Sequence, residues 1–135
     1  RWRAHSWYIS RYPMGREATL SYPALDVRFT NNTAGAVVVK TTYTSGSINV
    51  SLYGRPLAET VRAAHGEPTN PTEPTEIRRN TSELSPGRER VIQSGSRGFT
   101  VTVTRTVGLI EGGEETQTIR TVYQPKDRIV EVGAG

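Results

Sequence analysis

Residues Phe99-Thr100-Val101-Thr102-Val103-Thr104-Arg105 alternate a large side chain with a threonine, and every position between the two ends is β-branched. Successive residues of a strand point to opposite faces, so a period of two predicts a half-buried β-strand. Phe99, Val101 and Val103 face inward and the threonines face water. Continuous β-branching also restricts χ1 in a way that disfavours a helix here.

Working outward, the same signature recurs in short segments separated by turn residues. Toward the C-terminus, Glu114 to Tyr123 and Arg128 to Val132 read as strands, and Gly112-Gly113 reads as a hairpin turn. Just upstream, Arg88 to Gln93 is a strand, and Gly95 and Gly98 bracket a tight connection that calls for positive φ or close backbone approach. In the N-terminal half, Leu25 to Phe29, Ala36 to Tyr43 and Ile48 to Tyr53 are predicted strands. Asn31 to Gly35 and Thr44 to Ser47 reverse the chain between them. The expectation is an antiparallel meander over residues 20–54, with Leu25, Val27 and Phe29 on one face.

Between the halves, Pro56 to His65 leaves helix, strand and irregular connection open, since Leu57, Val61 and Ala64 could share a helical face. Gly66 to Thr75 holds Pro68, Pro71 and Pro74 and no large apolar residue, so it should be extended, as a linker or an edge. The fold class expected is all-β with little helix: an antiparallel meander followed by an elongated antiparallel sheet module with a thin core. The second half has few large apolar residues to bury at roughly 25 cal/mol per Å².

Composition narrows the chemistry. The 135 residues include no cysteine and two histidines, His5 and His65, which leaves thiol catalysis, disulfides and cysteine-type zinc sites without residues. The formal charge is +4, almost all from arginine, since Lys40 and Lys126 are the lysines. That charge attracts polyanions without naming one. No five-residue basic run suggests a nucleic-acid tail, and no apolar run approaches the roughly 20 residues of a bilayer crossing. His65, Glu67 and Glu73 lack a diagnostic metal spacing. Neither a metal nor a cofactor is expected, and nucleic acid is not an expected partner.

Two ordered sets of motifs resemble known families. His5-Ser6, the turn Tyr12-Pro13-Met14-Gly15-Arg16-Glu17-Ala18-Thr19, Leu25-Asp26-Val27-Arg28-Phe29 and Asn31-Asn32-Thr33 resemble the C-terminal part of a VanW-like domain. Leu84-Ser85-Pro86-Gly87, Val91 to Gly98, Gly112-Gly113 and Tyr123-Gln124-Pro125 to Gly133 resemble the five-glycine domain. The division expected is a VanW-like part at 1–55, a proline-rich connection at 56–76 that includes, at most, the first strand of the next module, and a five-glycine domain at 77–135. The order of the two resembles secreted Gram-positive cell-wall proteins.

That resemblance implies an extracellular or cell-wall location and a binding or spacer role. The partner implied is peptidoglycan, an N-acetylglucosamine-containing polymer or an anionic wall polymer. Tyr123 and Phe99 would offer aromatic faces to sugars, and Arg97, Arg105 and Arg120 would pair with wall anions. Trp2, Trp7, Tyr8, Tyr12 and Tyr22, interleaved with Arg1, Arg3, Arg11 and Arg16, read as a surface for packing against further chain. Two alternatives stand beside this reading. One is a fragment of a wall-modifying enzyme whose nucleophile lies upstream, with His5 as the one catalytic candidate here; the chain alone is then not expected to catalyse. The other is strand-mediated assembly, a homo-oligomer formed through sheet edges.

Overall fold

The computed structural model describes residues 4–134. Trp2, Arg1 and Arg3 of the aromatic and basic cluster lie outside the described residues. All regular structure is β: nine strands and no helix among the described residues, so none is long and apolar enough to cross a membrane.

The strand read from the alternating stretch is the longest. Gly98–Leu109 (β7) pairs along its length with Glu114–Tyr123 (β8), from Phe99 opposite Tyr123 to Gly108 opposite Glu114. The Gly112-Gly113 turn joins them, with both glycines at φ 91°. The other edge of β7 is shared by two strands from residues 56–76. Ala58–His65 (β3) runs antiparallel to its second half, and Thr69–Thr72 (β4) covers its start. The stretch left open between helix and strand is therefore a strand. In β4, Pro71 sits on an edge where its missing N–H breaks no ladder, and the register shifts between Thr69 and Thr72.

A second sheet contains Glu76–Thr81 (β5), Arg128–Gly133 (β9) and Glu89–Gln93 (β6), with β9 in the centre. Here the expectation of antiparallel pairing needs one correction: β5 and β9 are parallel, Glu76 opposite Arg128 through Thr81 opposite Gly133. Parallel neighbours need a long crossover, and β6, β7 and β8 all intervene in the chain. Where β8 leaves its sheet toward β9, its backbone passes against Gly98. A Cβ on Gly98 would lie 2.6 Å from both the Tyr123 carbonyl oxygen and the Pro125 nitrogen, which is why no side chain fits there.

The N-terminal half departs further from the expected meander. Val38–Tyr43 (β1) and Ile48–Tyr53 (β2) form an antiparallel hairpin, Val38 opposite Tyr53 and Tyr43 opposite Ile48. Leu25 to Phe29 is not its third strand. It makes one bridge, Ser21 to Leu25, and leaves Val27 and Phe29 more than half exposed. Alternating side chains predict a strand only where a neighbour supplies the ladder. The expected turn at Asn31 is present: its side-chain oxygen accepts from Thr33 N–H at 3.0 Å and its amide donates to the Gly35 carbonyl at 2.8 Å.

Among the described residues, the fully buried apolar side chains are Val101, Val103, Tyr123 and Val130. The accessible surface is 10493 Å², about half as much again as the roughly 7,000 Å² of a compact monomer of 14.9 kDa. The core is thin and the molecule extended, as the shortage of apolar residues implied.

Candidate functional site

The inward face of the first sheet is covered at one end and open at the other. At the covered end, Tyr8 packs on Phe99 with centroids 5.8 Å apart and on Tyr123 at 5.5 Å, and Phe99 and Tyr123 lie 5.1 Å apart. The Ser6 carbonyl accepts from the Gln124 N–H at 2.6 Å, fixing the N-terminal segment beside the end of β8.

Tyr123 is also the polar anchor of this contact. Its ring is 1% exposed. Its hydroxyl accepts from Gly15 N–H at 2.7 Å and donates to Glu17 Oε1 at 2.5 Å. Burial first, and then the Glu17 carboxylate, hold this phenol protonated well above its ordinary range, against a smaller opposing effect of the Gly15 N–H. Glu17 is itself 7% exposed. A buried carboxylate needs a donor, and Tyr123 supplies it 106 positions along the chain.

Gly15 makes the approach possible. It has φ 69°, and a Cβ there would come 2.7 Å from Val103 Cγ2. Its backbone therefore lies directly on the sheet, in a turn closed by Arg16 N–H donating to the Pro13 carbonyl at 3.2 Å.

Beyond this anchor the same face opens into a shallow groove of about 470 Å³. Gly15 and Arg16 form one wall; Val61, Ala63, Val103 and Ile119 form an apolar floor; Arg105 and Gln117 complete it. The register explains the grouping, because residues directly opposed in neighbouring strands share a face. Ala63 and Gln117 flank Arg105, and Ile119 lies opposite Val103. Val61 is 58% exposed, so the floor is open to an occupant.

The predicted site residues do not converge. Arg105 lies in the groove. Tyr123 is corrected: a fully buried ring has no face for a sugar, and it serves as the anchor. Phe99 is half-buried in the same aromatic cluster. Arg97 lies between β6 and β7 and pairs with Glu73 at 2.7 Å, both exposed. Arg120 is opposite Thr102 and so points to the other face of the sheet, where it reaches Thr100 Oγ1 at 3.5 Å. The His5 ring stacks on Tyr12 at 5.5 Å, with Nδ1 buried and unpartnered. Trp7 lies beneath Lys126 Nζ at 5.7 Å. His65, weighed as a metal ligand, has its Nδ1 3.1 Å from the Gly66 carbonyl oxygen. No cluster of three or more metal-ligating side chains occurs among the described residues.

Arg16, Gln117 and Glu17 were not singled out as a site by sequence reasoning. The Glu17 partner is far away in the chain, and no local pattern announces it. The alternation of β8 puts Gln117 on the face of Ile119 and Tyr123, and only the β7–β8 register places it beside Arg105.

Comparison with known proteins gives two consecutive family matches. The family model for VanW like protein matches residues 1–53, and that for the G5 domain matches residues 67–135. The accumulation-associated protein of Staphylococcus epidermidis is 31% identical over 137 residues, covering 95% of this chain; the chain spans 9% of that protein's length. Among solved structures, the IgA1 protease G5 domain aligns over 56% of this chain and 94% of its own, at 22% identity and TM-score 0.36. HP0197-G5 aligns over 55% and 96%, at 25% identity and TM-score 0.28. With a VanW-like segment ahead of it, the chain belongs to the G5 domain family.

Proposed function

We propose that this chain is an extracellular, wall-associated binding and spacer region whose grooved sheet face contacts peptidoglycan or another N-acetylglucosamine-containing polymer. The observation that carries the reading is the groove itself. An apolar floor suits the C–H face of a pyranose and the methyl of an acetamido group, while Gln117 and the two arginines offer hydrogen bonds at its margin. G5 membership and the likeness to an accumulation-associated protein support a role outside the cell. The extended form and thin core support the spacer part.

Co-sedimentation with purified Gram-positive peptidoglycan tests this, with and without its anionic polymers and at low and high salt. The expected result is binding that survives both high salt and polymer removal. Binding lost under either condition would reduce the effect to arginine charge.

One observation favours a second reading, assembly with a further copy. In the β1–β2 hairpin Tyr43 is 84% exposed and Ile48 71%, and neither strand pairs with any other element among the described residues. Unpaired apolar edges are templates for strand addition. Sedimentation equilibrium over a range of concentrations decides it: a constant monomer mass rejects assembly.

A further inference from the structure

We infer that the groove is a carboxylate clamp built jointly by the two family segments, with Arg16 of the VanW-like turn and Arg105 of the G5 sheet gripping an acidic group on the bound sugar chain. This rests on the reading that the groove takes a glycan, and adds which chemical class of glycan it takes.

Three observations meet at the groove. First, its lining contains two arginines and no carboxylate. Second, neither Arg16 nor Arg105 has an ion-pair partner within 4.0 Å among the described residues, whereas Arg78, Arg90, Arg97 and Arg128 all do. Both are exposed, so both guanidinium groups are free to take an external anion. Third, the two come from different walls. Arg105 is fixed by the ladder between β3 and β8, and Arg16 follows the glycine whose N–H is held by Tyr123.

The floor selects among anions. A guanidinium fork matches carboxylate and phosphate alike, so the arginines alone do not discriminate. Val61, Ala63, Val103 and Ile119 do, because a polyol-phosphate chain has no flat apolar face to lay on them and a pyranose ring has one. The occupant assigned is therefore a carboxylate-bearing chain of N-acetylated sugars. Arg16 is contributed by the VanW-like turn, and the Glu17–Tyr123 anchor positions it. The G5 sheet without that turn retains one arm of the clamp.

The whole chain should be titrated calorimetrically at about 0.15 M salt with chitohexaose, with chitohexaose oxidised at C6 to carry carboxylates, and with poly(glycerol phosphate). The carboxylated oligomer is expected to bind about tenfold more tightly than the neutral one, the scale of a charge-assisted hydrogen bond. Arg16→Gln and Arg105→Gln should each remove most of that difference, weakening the carboxylated oligomer far more than chitohexaose, and leave the melting temperature unchanged. Equal affinity for the two oligomers overturns the clamp and leaves the sugar reading standing. Loss of the difference in Arg105→Gln alone overturns the joint construction. Tighter binding of poly(glycerol phosphate) overturns the assignment to carboxylate, and no binding of either oligomer overturns the sugar reading together with the clamp.

Discussion

The two sheets of the C-terminal half use arginine in opposite ways. In the β5–β9–β6 sheet three of the four strand arginines are spent on the sheet itself, and Arg79 has no acidic partner within 4.0 Å among the described residues. Arg78 pairs with Glu76 and Glu89, Arg128 pairs with Glu76, and Arg90 pairs with Glu83 at 2.7 Å and Glu131 at 2.6 Å. In the sheet built on β7, none of Arg62, Arg105 and Arg120 has an acidic partner within 4.0 Å among the described residues. What holds that sheet is packing of Val101, Val103 and Tyr123 under the N-terminal segment. Charge on the β7 sheet is free and on the other sheet mostly cancelled, and the proposed groove draws on that difference. The lesson is general: a count of arginines says little, and the position of the nearest carboxylate says much.

The contrast is broken most directly at Tyr123. Tyr123→Ala removes the largest buried side chain and its three-ring cluster, and is expected to cost about 3–5 kcal/mol, the range of a large aromatic deleted from a core. Denaturant unfolding measures it. An effect below about 1 kcal/mol would mean that the first sheet is not held by this packing.

Tyr123→Phe is the subtler variant, keeping the ring and removing the hydroxyl. It leaves the Gly15 N–H and the Glu17 carboxylate without their partner, at a cost of about 1–3 kcal/mol for stranded buried groups. It also alters the alkaline limb. Because the folded state raises this phenol's pKa, its stabilising contribution is complete below the ordinary tyrosine value of about 10 and is lost as pH rises above it. The variant should therefore lose less stability between neutral pH and pH about 11 than the parent does.

Tyr123 also marks how far sequence reading reaches. The β7 and β8 strands were legible because each is two-faced, and the face is recorded residue by residue in FTVTVTR and in the β8 alternation. Glu114 to Tyr123 is the strand that was expected. Leu25 to Phe29 has a similar alternation without a neighbour, and alternation carries no information about partners. The parallel pairing of β5 with β9 was hidden for the same reason. Of the site, Arg105 was visible as an arginine on a strand; its company with Arg16 was not, since it depends on a turn glycine landing on Val103 from 88 positions away.

Glu76→Gln sharpens the contrast from the other sheet. Glu76 holds both Arg78 and Arg128, and its carboxyl lies below the usual range, chiefly through the hydrogen bond from Arg78 and, after an opposing burial effect, through Arg128. A lowered folded-state pKa gives stability that is present above the unfolded value of about 4.3 and is lost as pH falls below it. All three side chains are well exposed, so the loss should be smaller than that of Tyr123→Phe and should shrink further in high salt. Melting temperatures at pH 7 and pH 3, in low and high salt, test both points. Equal loss at the two pH values would remove the ion pair as the cause.

The smallest effect on stability is expected where the arginines are free. Arg62→Gln, Arg105→Gln and Arg120→Gln interrupt no ion pair among the described residues, and each should stay within about 0.5 kcal/mol of the parent. The same change at Arg90 severs links to both Glu83 and Glu131 and leaves two carboxylates unpaired, so it should be the more destabilising in low salt and approach the others as salt is added. Identical low-salt behaviour of Arg90→Gln and Arg105→Gln would abolish the distinction between the sheets. A measurable loss at Arg105 alone would place its guanidinium in an internal contact, and the groove would then lack a free cation on its sheet side.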